Sequence, residues 1–309
     1  MRINSSLKSL VFLLMILLTS LACVVNGESP ADNANLAATQ EALVQTQVAL
    51  SVQQTLQAQG SPTLEASAVP QEINTVSPMQ EDPCAGKSLV NSQGVSFCYE
   101  PSLAGSVTNE VVPAIVSEMS ENFHEPEHNK FMFQGYAISP TFHAPVMHIY
   151  PVAGYIAINP YAAQGVEELQ AALQSQSSNL SHMPFMPKWN AAQMMHTQVS
   201  YLSFQNGQGV RYLTQYGQAF WPVNNEDLFY TFQGLTNDGQ YYISAILPVS
   251  NPVLPANGEA YPGDINSMGD TYQTYIADIN SQLNAQPAES YLPQLNHLDA
   301  MMQSLLVSP

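Results

Sequence analysis

Positive charge is what this chain lacks most. Its 309 residues hold 6 Lys and Arg against 24 Asp and Glu, a formal charge of −18. So acidic a surface cannot neutralise a phosphate backbone, which argues against nucleic acid as a partner, and it is repelled by anionic membrane surfaces. Charged residues of either sign make up only 10%, so Gln, Asn, Ser and Thr must solvate most of the exterior. Long apolar runs are also missing, since a spanning helix needs about 18–20 apolar residues and none occurs. Cysteine is limited to three positions. There is no G-x-S-x-G elbow, no Gly-rich phosphate loop and no Cys nucleophile with a plausible base, so no cofactor is implied and no enzyme class is indicated. What is abundant is apolar: 45% of residues are hydrophobic, enough for a sizeable core and against general disorder.

The first 22 residues read as a secretory leader. Arg2 and Lys8 supply a basic start, and Leu10 to Leu21 supplies an apolar stretch too short to span a bilayer. The end of this segment, Ser20-Leu21-Ala22-Cys23, resembles the lipobox of bacterial lipoproteins, in which the Cys is diacylated and becomes the new N-terminus. It departs from that pattern in having Ser20 where Leu is usual. Ordinary cleavage after small-x-small is the alternative. Either way export is expected, with Cys23 as the lipid acceptor on the first reading. Arg2 and Lys8 leave with the leader, so the remaining basic residues are Lys87, Lys130, Lys188 and Arg211.

In an oxidising compartment Cys84 and Cys98 are expected to form a disulfide. Fourteen residues apart with no nearby His, they lack zinc-ligand spacing. Residues 23–59 are rich in Thr, Gln and Ala, and Leu36, Leu43 and Leu50 recur at heptad spacing. That predicts a marginal helical stalk with weak self-association, roughly 40 Å long if fully helical. Residues 60–83 have the Pro, Ser and acidic composition of a linker, which leaves residues 84–309 as one globular domain.

Within that domain the pattern predicts an α+β fold: an antiparallel sheet built on a hairpin meander and packed with a few helices. Val95, Phe97 and Tyr99 alternate, Phe131 and Phe133 precede Gly135, and Val146 to Val152 is a β-type run. Asn206-Gly207 is expected to supply a φ > 0 hairpin turn, and Asn237-Asp238-Gly239 a second turn. Helical stripes are read at Val166, Leu169 and Leu173, and at Tyr272, Tyr275, Ile276, Ile279 and Leu283 behind Asp270 as N-cap. A last one runs through Leu295, Leu298, Met302 and Leu305.

One string carries chemistry on its face. His124-Glu125-Pro126-Glu127-His128 satisfies H-E-x-x-H, the spacing that places two imidazoles one turn apart on a zincin helix. Pro126 sits inside that turn and opposes a helix. The string is therefore expected to be an acidic surface loop leading into the strand at Phe131. A metal-dependent hydrolase using it is the alternative, as is incidental zinc binding by His124, Glu127 and His128. His143, His148, His182, His196 and His297 are expected to be structural or surface residues, because no third ligand is visible for them. Asp264, Asn266 and Asp270 space oxygens as a fragmentary calcium loop would. Arg211 is expected to pair with a carboxylate, with ligand clamping as its alternative. Trp189 and Trp221 are candidates for a stacking surface for glycans or peptides.

Five strings, PEHNKFMFQGY (126–136), MHIYPV (147–152), MPFMPKWNAAQ (183–193), FQNGQGVRYLTQYGQ (204–218) and LFYTFQGLTNDGQYYISAILPV (228–249), resemble a family of secreted proteins and lipoproteins of bacteria. The resemblance covers most of residues 88–309. It implies export but no activity and no catalytic residues, since that family carries none assigned. In its pattern Pro-Glu-His precedes the aromatic strand and His124 lies outside. A vaguer similarity, to PsbP-like domains, rests on the order of a Gly-Val-Ser-Phe strand, hairpins and a closing helix, and it implies topology alone. The sequence thus predicts an exported, lipid-anchored surface domain that acts by binding or assembly rather than catalysis, on an extracellular protein or glycan, touching the membrane only through its lipid.

Overall fold

The meander read from the two hairpins forms one side of a larger antiparallel sheet. The computed structural model describes residues 84–308 apart from 266–268. The leader, Cys23, the stalk and the linker lie outside those residues. Ten strands are described: β1 (Ser88–Ser92), β2 (Val95–Tyr99), β3 (Ser106–Val112), β4 (His128–Gln134), β5 (Val146–Pro151), β6 (Ala192–Phe204), β7 (Gly207–Gly217), β8 (Phe229–Thr236), β9 (Tyr241–Pro248) and β10 (Leu306–Val307). Four α-helices accompany them: α1 (Val152–Ile158), α2 (Pro160–Ser175), α3 (Tyr272–Asn284) and α4 (Leu295–Gln303). A seven-stranded sheet runs in the order β3-β4-β5-β9-β8-β7-β6, and a three-stranded one in the order β1-β2-β10. The domain is α+β, as its pattern requires.

Strand alternation divides the large sheet into two faces. One face presents Phe131, Phe133, Met147, Ile149, Leu213, Tyr230, Phe232, Ile243, Ala245 and Leu247 to α3, α4 and the small sheet, in one continuous buried cluster. Helix α3 contributes Tyr272, Ile276, Ile279 and Leu283, and α4 contributes Leu295, Leu298, Met301 and Met302. The other face presents Tyr150, Val210, Tyr212, Leu235 and Tyr242 to α1 and α2, which bury Tyr155, Val166, Leu169 and Leu173. Asn159 starts α2: its side-chain oxygen accepts from the Tyr161 N–H, and Pro160 follows where its missing N–H is harmless.

The expected disulfide is present. Cys84 is bonded to Cys98 with Cα atoms 5.5 Å apart, closing the β1–β2 hairpin and contributing about 3 kcal/mol in the chain-entropy model. The Cys98 N–H also donates to Ser304 Oγ at 2.9 Å, just past α4.

Two local expectations are corrected. Strands β6 and β7 are joined through Gln205 and Asn206, with Phe204 paired to Gly207, so the turn lies one residue earlier than the Asn-Gly dipeptide suggests. Neither Asn206 nor Gly207 has a positive φ. Gly207 is required by contact instead, since a Cβ there would lie 2.1 Å from the Phe204 ring and 2.5 Å from the Leu235 carbonyl oxygen. The cap position of α3 is Thr271, and Asp270 falls in the 3-10 turn before it. The second hairpin follows its reading, with Gly239 at φ 69°.

Arg211 pairs as expected. Its Nε donates to Asp299 Oδ1 at 3.0 Å and its Nη2 to Oδ2 at 3.2 Å, while Nη1 donates to the Gln198 carbonyl. Tyr230 adds an O–H donor to Asp299 Oδ1 at 3.1 Å. Burial pushes the Asp299 carboxyl up, and Arg211 opposes that shift. The network ties β7 and β8 to α4 beneath the first face, away from the cleft described below.

Candidate functional site

The H-E-x-x-H string forms no helix. Glu125 exchanges backbone hydrogen bonds with Ile115 in an isolated bridge, Pro126 is buried, and His128 opens β4. Pro126 excludes the helical turn as its chemistry predicts. The segment is nevertheless not a surface loop, because His128 is only 4% exposed. His124 turns away from the other two side chains: its ring nitrogens lie 3.1 Å from the Ile158 carbonyl and 3.2 Å from that of Ser117. Asn159 Nδ2 donates to the carbonyls of Asn122 and His124, holding this segment against the start of α2. Glu127 is exposed. The candidate set of His124, Glu127 and His128 is therefore not assembled.

A different set is. In the β4–β5 register Asn129 faces Ile149 and Lys130 faces His148, so His128 and His148 lie diagonally on one face of the sheet with Tyr150 beside both. The His128 ring lies 5.0 Å from His148 and 4.3 Å from Tyr150, and His148 stacks on Tyr150 at 1°. His128 Nε2 is 2.9 Å from His148 Nδ1. The bridge with Ile115 brings Glu125 over the same spot, 4.0 Å from His128 Nε2. The Tyr150 hydroxyl donates to Glu125 Oε2 at 2.7 Å. One ligand atom from each of Glu125, His128 and His148 falls within 4.8 Å of the others.

The tautomers follow from the partners. His128 Nδ1 sits 2.8 Å from the Pro126 carbonyl oxygen, which only accepts, so Nδ1 carries the proton. In the neutral ring Nε2 then holds a lone pair, and His148 Nδ1 donates to it. Burial disfavours the charged form of both rings. It lowers His128 against the opposing pull of the Pro126 carbonyl and Glu125, and, with His128 and Lys130, it brings His148 down to about 3. Burial, then Glu125, raises the Tyr150 hydroxyl well above its usual range.

Glu125 and His148 of this cluster line a cleft with two adjoining parts that share Glu125, His143, Pro187 and Trp189. The first, about 460 Å³, reaches His148 and Lys130. The second, about 770 Å³, runs outward past Met119, Phe123, Phe142, Lys188 and Tyr216. Met119 and Phe142 are each 73% exposed at its mouth. His143 stacks on Trp189 at 4.9 Å and 15°, and meets Phe229 edge-on at 4.7 Å. Burial lowers His143 to about 4, against the pull of Asp227.

The wall bearing Trp189 is fixed by buried polar groups on the same sheet face. Gln233 Oε1 accepts from the Met186 N–H at 3.0 Å and from the Tyr242 hydroxyl at 2.7 Å, and Ser244 Oγ donates to the Met186 carbonyl. Of the candidate ligand-binding residues, Trp189 thus lines the cleft. Trp221 packs over Gly258, and Arg211 is consumed by Asp299. Asn266 of the calcium-like string lies outside the described residues.

Glu125, His143, His148 and Tyr150 were not identified from sequence as a group. The available signal was the period-2 alternation of MHIY, which puts His148 and Tyr150 on one face. No family model, no curated protein and no solved structure matches this chain. Among the described residues no helix is long and apolar enough to cross a membrane.

Proposed function

We propose that this chain is an exported domain, lipid-anchored through Cys23 and held off the membrane by its Thr/Gln/Ala-rich stalk, which binds an apolar peptide side chain in the cleft beside Trp189. The resemblance of its strings to secreted bacterial proteins supports export. The observation that carries the binding reading is the composition of the outer cleft. Met119, Phe123, Phe142, Trp189 and Tyr216 offer apolar surface around a concavity, with Lys188 and Glu125 at its borders. Lys130 and Lys188, two of the chain's six basic residues, border the two parts of the cleft. A glycan is less well served, because stacking needs an open ring face and His143 covers one face of Trp189. A hydrolase built on the H-E-x-x-H string would need His124, whose ring is engaged elsewhere.

In a Trp221→Phe variant Trp189 is the sole indole, so fluorescence reads the cleft directly. Short peptides bearing Phe or Leu are expected to quench it saturably, and Phe142→Ala to weaken them by about tenfold. Saturable quenching by neutral oligosaccharides with none by peptides would sink this reading. Mass spectrometry of the mature N-terminus tests the anchor: a diacylated Cys23 is expected, and an unmodified N-terminus beyond it would refute lipidation.

A further inference from the structure

We propose that Glu125, His128 and His148 form a divalent-metal site of the zinc type at the cleft floor, coordinating through one carboxylate oxygen, His128 Nε2 and His148 Nδ1. Two imidazoles and a carboxylate are a donor set that suits zinc and its neighbours in the first transition row. These three come from separate segments, an isolated bridge and two strands, and the sheet register converges them.

The surroundings match what a metal ligand set requires. A ligating imidazole normally donates its other N–H to a fixed acceptor, which locks the tautomer and aims the lone pair. His128 does this through Nδ1 and the Pro126 carbonyl at 2.8 Å. The carboxylate is oriented by the Tyr150 hydroxyl at 2.7 Å. Lys130 faces His148 across the strands, but its ammonium is drawn off to Glu110 at 2.9 Å.

The hydrogen-bonded and metal-bound arrangements differ by little. His128 Nε2 and His148 Nδ1 stand 2.9 Å apart because they share a proton. Two bonds of about 2.0–2.1 Å at a tetrahedral angle require about 3.3–3.4 Å. The cation takes the place of that proton, which moves to His148 Nε2, and the nitrogens part by a few tenths of an ångström. Glu125, with a side chain 21% exposed, closes its 4.0 Å gap by rotation. Three protein ligands leave the remaining coordination positions facing the cleft. Metal uptake does not depend on the peptide-binding reading. It is measured with no organic ligand, and quenching of Trp189 by peptide is measured without metal, so either proposal can fail alone.

The test is titration of the untagged, chelator-stripped full chain with Zn²⁺ by calorimetry and with Co²⁺ by visible absorption. One equivalent is expected, with His128→Ala, His148→Ala and Glu125→Gln each weakening it by at least about tenfold. His124→Ala and Glu127→Gln are expected to change nothing. No uptake up to about 1 mM Zn²⁺, or affinity lost with His124→Ala and kept with His148→Ala, would overturn the site. If His148→Ala does not fold, His148→Cys keeps a donor. A sulfur-to-cobalt charge-transfer band is expected in that folded variant, and its absence overturns the assignment.

Discussion

The two faces of the seven-stranded sheet solve different problems with the same alternation. The face under α3 and α4 is sealed by a continuous cluster of apolar and aromatic strand residues, and the Arg211–Asp299 pair on it is matched donor for acceptor. The opposite face is apolar where α1 and α2 cover it, and again where Val146, Phe229 and Ile246 pack with Phe185. Toward β4 and β5 it carries a polar row, His128, Lys130, His148, Ser244 and Gln233, which ends in the cleft. Ser244 and Gln233 spend their hydrogen bonds on the Met186 backbone. His128 and His148 instead give one nitrogen each to the other, while His128 Nδ1 stays on the Pro126 carbonyl. Side chains satisfied by one another rather than by the scaffold are the ones a ligand can take over at small cost.

If that contrast is right, the largest loss comes from the sealed face. Phe232 is fully buried and meets Phe204 edge-on at 6.1 Å. Phe232→Ala is expected to cost about 3–5 kcal/mol through lost transfer energy and the cavity left behind. Urea unfolding of the full chain measures it. A cost below about 1 kcal/mol would mean that this face does not carry the fold's stability.

Next comes the ion pair. Asp299→Asn removes the charge opposite Arg211 in a largely enclosed setting. A loss of about 2 kcal/mol is expected, less than for a fully buried pair because the Asp299 side chain is 18% exposed. The double variant with Arg211→Met should recover part of that loss, which a double-mutant cycle reads directly. Additive losses would show that the pair is not coupled.

Which parts of this were visible in the sequence follows from the range of the interactions. The meander was legible because each hairpin is closed locally, and α2, α3 and α4 because their stripes lie within one segment. The disulfide needed only cysteine parity and the expectation of an oxidising compartment. The site was not legible, because it depends on strand register. The β4 and β5 strings each alternate correctly, but nothing local says that Lys130 faces His148 rather than a residue one place away. A slip of one would send His148 to the sealed face. The H-E-x-x-H spacing drew attention to His124, while the ligand atom that converges with His128 lies twenty residues downstream. Pro126 was the informative residue in that string: it excluded the helix, and its carbonyl sets the His128 tautomer.

The smallest effect expected is also the one that isolates the cleft wall. An unfolded chain protonates His143 near 6.5, whereas the folded protein holds it neutral down to about 4. Between those values the unfolded state binds the extra proton, so stability falls as pH drops through the window. The His143 contribution is fully present above about pH 7 and is lost no further below about 4. His143→Phe keeps a ring between Phe142, Trp189 and Phe229 but removes the titration. Thermal midpoints of wild type and variant should run parallel from pH 8 to 7 and then converge or cross as the pH falls to 4, with the wild type dropping faster. The difference between the two curves cancels the similar but separate contribution of His148. The shift should be modest, since this ring is only half-buried and solvent screens it. A constant offset across the whole range would place His143 in solvent and break its assignment to the wall that backs Trp189.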